Sequence, residues 1–123
     1  MAYLTDRKRA TGWGSAKSGT QHHWSMTISA VALLILIPLF IFTFGSILGS
    51  SYEEVSAYYS RPFPAIVAAL TILVSFKHFN SGFQILIEDY VHGPMEKVCI
   101  IGMTIISYGA AATGLFAIAK LAL

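Results

Sequence analysis

Three long windows almost without charge dictate what this chain can fold into. No formal charge falls between Lys17 and Glu53, and the stretch from Trp24 to Leu48 is nearly all apolar. Between Arg61 and Glu88 the one charge is Lys77, and 22 residues without charge separate Lys97 from Lys120. Each window exceeds the ~20 residues with which a helix, rising ~1.5 Å per residue, crosses ~30 Å of hydrocarbon. In lipid no backbone N–H or C=O can be left unpaired, so the windows read as helices. The expected fold is all-α and integral to a membrane, with three transmembrane helices over about 23–48, 63–89 and 95–121. A polar segment at 1–21 precedes this membrane unit, which occupies 22–123.

Composition points the same way. Charged residues make up 11% of the chain and hydrophobic ones 55%, against about 25% charged in a soluble domain. The formal charge of +2 is small, and no basic patch interleaves with aromatics, so nucleic-acid binding is not expected. The single cysteine, Cys99, lies in an apolar run without metal-ligand spacing and reads as a small buried hydrophobe. The first twenty-one residues are polar and include Asp6, unlike a signal peptide, in which an apolar stretch directly follows a basic start. They are expected to stay on the mature protein.

The connections set the direction of the spans. Ser50 to Arg61 carries Glu53, Glu54 and the tyrosines 52, 58 and 59, an aromatic belt at a membrane surface. Pro62 and Pro64 suit the first turn of the second span, and Pro38 inside the first is expected to bend it. In the second connection, Val91 to Pro94, Gly93 can stop one helix and Pro94 can open the next. Arg7, Lys8, Arg9, Lys17 and Lys97 fall on one side, and Arg61 and Lys120 on the other. The excess of cations puts the N-terminus and the second connection in the cytoplasm.

Ionisable groups within a span are costly in lipid and point to function. Lys77 and His78 are such a pair, and His78 lies ~15 Å from the cytoplasmic end of its helix, near the bilayer midplane. A neutral imidazole there can bond to a neighbouring helix, or it can be an axial ligand of haem iron while its other nitrogen finds an oxygen partner. Residue chemistry leaves both open. His78, Gly82, Ile85 and Asp89 share one helix face, which Thr71, Val74 and Ser75 extend. Gly82 either makes room for a flat macrocycle or lets another helix pack closely. At the cytoplasmic end, Glu88, Asp89, Tyr90 and His92 form either a solvated helix end or a polar site for the head group of a membrane-dissolved ligand. His22 and His23, beside Trp24, are surface anchors or face anionic groups such as haem propionates. Lys77 points about 100° away from His78, toward a partner's acid or a propionate.

The run from His78 to Tyr90, H-x3-G-x6-D-Y, resembles the second helix of the small hydrophobic membrane-anchor subunit of succinate dehydrogenase (succinate:quinone oxidoreductase, respiratory complex II). The N-terminal SGTQHHW before an apolar helix resembles the alphaproteobacterial and mitochondrial branch of that family, and the likeness covers nearly the whole chain. The resemblance implies that His78 is an axial ligand of haem b, with the opposite ligand on a large cytochrome b anchor subunit. It implies that Tyr90 hydrogen-bonds ubiquinone and that Asp89 lies beside that site. It further implies a flavoprotein and an iron–sulfur subunit as partners, and a place in the bacterial inner membrane passing electrons from succinate to quinone in the tricarboxylic acid cycle. Many relatives carry an arginine shortly after the histidine–tryptophan pair, where this chain has Ser25, Met26 and Thr27. The resemblance therefore carries no propionate role to that position.

Three other functions compete with this one. A quinol:fumarate reductase anchor shares the chemistry and reverses the electron flow, which sequence does not set. A cofactor-free assembly subunit would use His78 only as an interhelical bond. A transporter needs a polar pore face, and only Lys77, His78 and scattered serines and threonines could supply one.

Overall fold

A computed structural model describes residues 5–14 and 19–123. Lys17, counted above toward orientation, and Ser18, which opens SGTQHHW, lie outside the described residues, as do residues 1–4. The described residues contain five helices and no strand: α1 (Asp6–Thr11), α2 (Gly19–Gly45), α3 (Tyr52–Tyr59), α4 (Pro62–Tyr90) and α5 (Pro94–Ala122). Of these, α2, α4 and α5 are long and apolar enough to cross a membrane. Their most apolar 18-residue stretches have mean hydropathies of 2.5, 1.5 and 1.7, and the lowest belongs to α4, the span that carries Lys77 and His78.

Helix α2 starts in the polar run Gly19-Thr20-Gln21-His22, because a helix need not stop where hydrocarbon stops. It gives way at Gly45 to a turn, and Gly49 there takes φ 83°, a left-handed conformation that suits glycine. Helix α3 forms where the sequence pattern indicated only a loop. Ser51 caps it by accepting from the Glu54 N–H, and the Glu54 carboxylate accepts from the Ser51 N–H at 2.9 Å. This reciprocal pair satisfies two donors that a helix start leaves free. The carboxyl of Glu54 is consequently held below the ordinary carboxylate range, by the Ser51 N–H first and the Ser51 hydroxyl second. Pro62 and Pro94 each occupy the first helical turn, where a missing N–H is harmless. The stop between α4 and α5 differs in detail from expectation. Val91 ends α4, and Gly93, at φ 76°, stands before the first turn of α5.

Helix α4 is the middle member. It packs against α2 on one side and α5 on the other, while α2 and α5 do not meet among the described residues. What it buries is mostly small: Ala68, Thr71, Ser29, Ser107 and Ala111. Between lipid-soluble helices apolar area gives little driving force, so close approach through small residues takes over. At Gly114 a Cβ would stand 3.2 Å from Ile72 Cδ1, which marks the tightest α4–α5 approach at a glycine. Threonine hydroxyls inside the helices bond back to carbonyls one turn earlier, as Thr43 does to Leu39 at 2.9 Å and Thr71 to Val67 at 2.7 Å. Large apolar side chains such as Leu34, Phe42, Ile105 and Phe116 face outward and stay exposed, the inside-out pattern of a protein whose solvent is hydrocarbon.

Candidate functional site

His78 stands in the middle of α4, twelve residues before its end at Tyr90. Its Nδ1 lies 2.8 Å from Oγ of Ser29 on α2. Ser29 is buried, at 4% exposure, and its Oγ also lies 2.8 Å from the Met26 carbonyl. The Ser29 hydroxyl is the oxygen partner that an intramembrane imidazole needs, and it supplies the cross-link between α2 and α4. With Nδ1 engaged, Nε2 is the ring nitrogen left for other chemistry. The imidazole borders a cleft of about 370 Å³ whose other walls are Ala30, Leu33, Leu34, Ile37 and Pro38 of α2. One turn along α4, no atom lies within 4 Å of where a Cβ of Gly82 would stand. Within this chain, then, Gly82 opens space and does not seat a helix.

The C-terminal end of α4 separates into two faces. On the α2 side, His22, Gln84, Glu88 and Gly19 line a polar cleft of about 320 Å³. Gln84 Nε2 donates to Glu88 Oε1 at 2.8 Å, and buried His22 Nε2 has no partner among the described residues. The shared cleft shows that α2 and α4 run antiparallel, since the start of one meets the end of the other. On the α5 side, Tyr90 rims an apolar cleft of about 430 Å³ with Phe83, Leu86, Cys99, Met103 and Ile106 among its walls. Tyr90 is 80% exposed, and neither it nor Asp89 or His92 hydrogen-bonds another side chain among the described residues. The structure therefore sets His78 and Tyr90 apart, ~18 Å along the helix axis. It gathers His22 with Glu88 and leaves Asp89, His92, His23 and Lys77 exposed.

Ser29 and Gln84 are the hydrogen-bonding members of these sites that the sequence pattern did not single out. Ser29 gave little signal of its own, being one of several hydroxyls in the first half of α2 along with Thr20, Ser25 and Thr27. No group of three or more histidine, cysteine, aspartate or glutamate side chains converges among the described residues. A metal-ion cage of protein ligands is thus not what this site offers. A single axial nitrogen on an apolar cleft is a different donor set, one suited to a metal already held by a macrocycle.

A family model described as "Succinate dehydrogenase/Fumarate reductase transmembrane subunit" matches residues 1–116. The chain belongs to that family. The anchor is similar to the succinate dehydrogenase hydrophobic membrane anchor subunit of Paracoccus denitrificans, 46% identical over 123 residues, covering 100% of this chain and 95% of the relative. It is similar also to the succinate dehydrogenase membrane anchor subunit of Reclinomonas americana, 30% identical over 73% of this chain and 76% of the relative. The hydrophobic membrane anchor subunit of Rickettsia bellii (strain RML369-C) is 31% identical over 68% of this chain and 66% of that one. No solved structure matches the chain. As a hydrophobic anchor of succinate dehydrogenase it is one subunit of an oxidoreductase complex, and its three apolar helices make it a multi-pass membrane protein.

Proposed function

We propose that this anchor holds the flavoprotein and iron–sulfur subunits of succinate dehydrogenase on a bacterial inner membrane. In this reading it also ligates haem b through His78 and contributes Tyr90, with Asp89 beside it, to the site of ubiquinone reduction. The observation that carries the reading is His78 itself, held at Nδ1 by Ser29 and bordering an apolar cleft at mid-helix. Residues that would hold the haem fit it: Nε2 of His78 as ligand, the apolar α2 wall against one edge, and open space at Gly82. A second ligand would come from the large cytochrome b anchor subunit. A haem bound there supplies a one-electron store close to the quinone.

At the other end of α4, the Tyr90 hydroxyl donates to a quinone carbonyl, and the neighbouring Asp89 carboxylate passes protons from water. The apolar cleft below Tyr90 suits the ring and the first part of an isoprenoid tail. Succinate gives up two electrons and two protons to become fumarate, and quinone takes up two of each to become quinol. The cation excess at this end supports docking of the soluble subunits there. A quinol:fumarate reductase would run the same parts in reverse, and the family description covers both.

The Ser29–His78 bond also favours a second reading, in which His78 only ties α4 to α2 in a cofactor-free assembly subunit. The spectrum of a His78→Ala complex in mild detergent separates the two. Loss or weakening of the b-type haem bands supports ligation, and an unchanged spectrum supports the assembly role.

A further inference from the structure

We propose that Ser29 is a positioning residue that fixes the tautomer of His78 and thereby the redox potential of the haem that His78 ligates. The inference rests on the haem-ligand reading of His78 and extends it to a residue on a different helix.

A serine hydroxyl has one hydrogen and two lone pairs. Ser29 Oγ has two neighbours at the same distance, the Met26 carbonyl oxygen and His78 Nδ1, each at 2.8 Å. A carbonyl can only accept, so the hydroxyl hydrogen satisfies Met26, and Oγ then accepts from His78. That arrangement puts the imidazole hydrogen on Nδ1 and a lone pair on Nε2. In the opposite tautomer the hydroxyl would turn its hydrogen to Nδ1, keeping one of these bonds where the first arrangement keeps both. Ser29 is buried at 4% exposure, which limits the access of water that could replace the lost bond. The favoured tautomer is the one a metal ligand requires, since a metal binds the nitrogen that has no hydrogen.

Two effects follow for a bound haem. The ring is fixed in orientation, and the acceptor on Nδ1–H raises the donor strength of Nε2. A stronger donor favours ferric over ferrous iron, so loss of the acceptor raises the midpoint potential, by about 59 mV for each tenfold loss of that preference.

The test uses the assembled complex carrying Ser29→Ala, Ser29→Cys or Ser29→Thr in the anchor, with His78→Ala as reference. Haem content, midpoint potential by equilibrium titration and the low-spin signal of the oxidised haem are measured. Ser29→Ala and Ser29→Cys should raise the potential and weaken haem retention, the latter by about 10–100-fold in affinity. Ser29→Thr, which keeps the hydroxyl, should stay close to the unmodified complex. Cysteine nearly matches serine in volume and accepts poorly, so it carries the test if the alanine variant fails to assemble. Wild-type potential and haem content in both Ala and Cys variants would overturn the proposal while leaving His78 as ligand. A threonine variant shifted as far as alanine would overturn it too, since the hydroxyl would then not be the cause. If His78→Ala keeps its haem spectrum, the ligand reading falls first and the proposal falls with it.

Discussion

Ser29 and His78 are 49 residues apart in sequence and 2.8 Å apart at Oγ and Nδ1. This contact joins α2 to α4 within two helices apolar enough to span a membrane, where water is scarce and a polar atom must find its partner in protein. It also makes the position of His78 a property of two helices. Any change in the packing of α2 on α4 moves the imidazole, and the two small residues nearby, Ser29 and Gly82, fix how much room it has.

The two glycines Gly82 and Gly114 should respond oppositely to enlargement. A Cβ on Gly114 would stand 3.2 Å from Ile72 Cδ1, so Gly114→Leu overfills the α4–α5 contact and should cost about 1–3 kcal/mol of anchor stability. Gly82 has nothing within 4 Å in this chain, so Gly82→Leu should leave the stability of the anchor alone nearly unchanged. In the assembled complex the same Gly82→Leu change should lower haem content. Denaturation midpoints of the anchor and haem-to-flavin ratios of the complex check both statements.

Tyr90→Phe removes one hydroxyl at the rim of the apolar cleft. A single hydrogen bond in the transition state is worth ~1.4 kcal/mol, so quinone reduction should fall about tenfold. Succinate oxidation measured with a soluble dye should be unaffected. An equal fall in both activities would show that the change disturbs assembly.

Helix α3 should hold its start across the neutral range and lose it only in acid. The Glu54 carboxyl is lower in the folded state than in the unfolded one because Ser51 donates to the ionised form. Its contribution is therefore complete above about pH 4.3, the ordinary glutamate value, and disappears as pH falls through the lowered value. Protease cleavage in the α3 connection should be flat from neutral pH to about pH 4.3 and rise below that. In Glu54→Gln the acid dependence should be lost.

The spans were legible because lipid allows so few alternatives. Long windows around α2, α4 and α5, with Lys77 their one charge, already pointed to helices, and Pro62 and Pro94 marked two of the starts. Helix α3 was legible in principle, since Ser51 and Glu54 stand at the capping-box spacing, yet two glutamates and three tyrosines read as a polar belt. His78 stood out as an imidazole where lipid should be. Its partner did not, because Ser29 faces it only once α2 and α4 take one particular antiparallel register. Sequence spacing along one helix carries no information on that register. The same holds for His22, which reads as a surface anchor or as facing an anionic group until α4 brings Gln84 and Glu88 to its cleft.

The account stands on His78 as an iron ligand, and replacing the side chain with a free ligand tests that most directly. The His78→Gly complex, purified in mild detergent, should lack the low-spin b-type spectrum and regain it when imidazole is added. A His78→Gly complex that shows the full wild-type haem spectrum without imidazole would contradict the account.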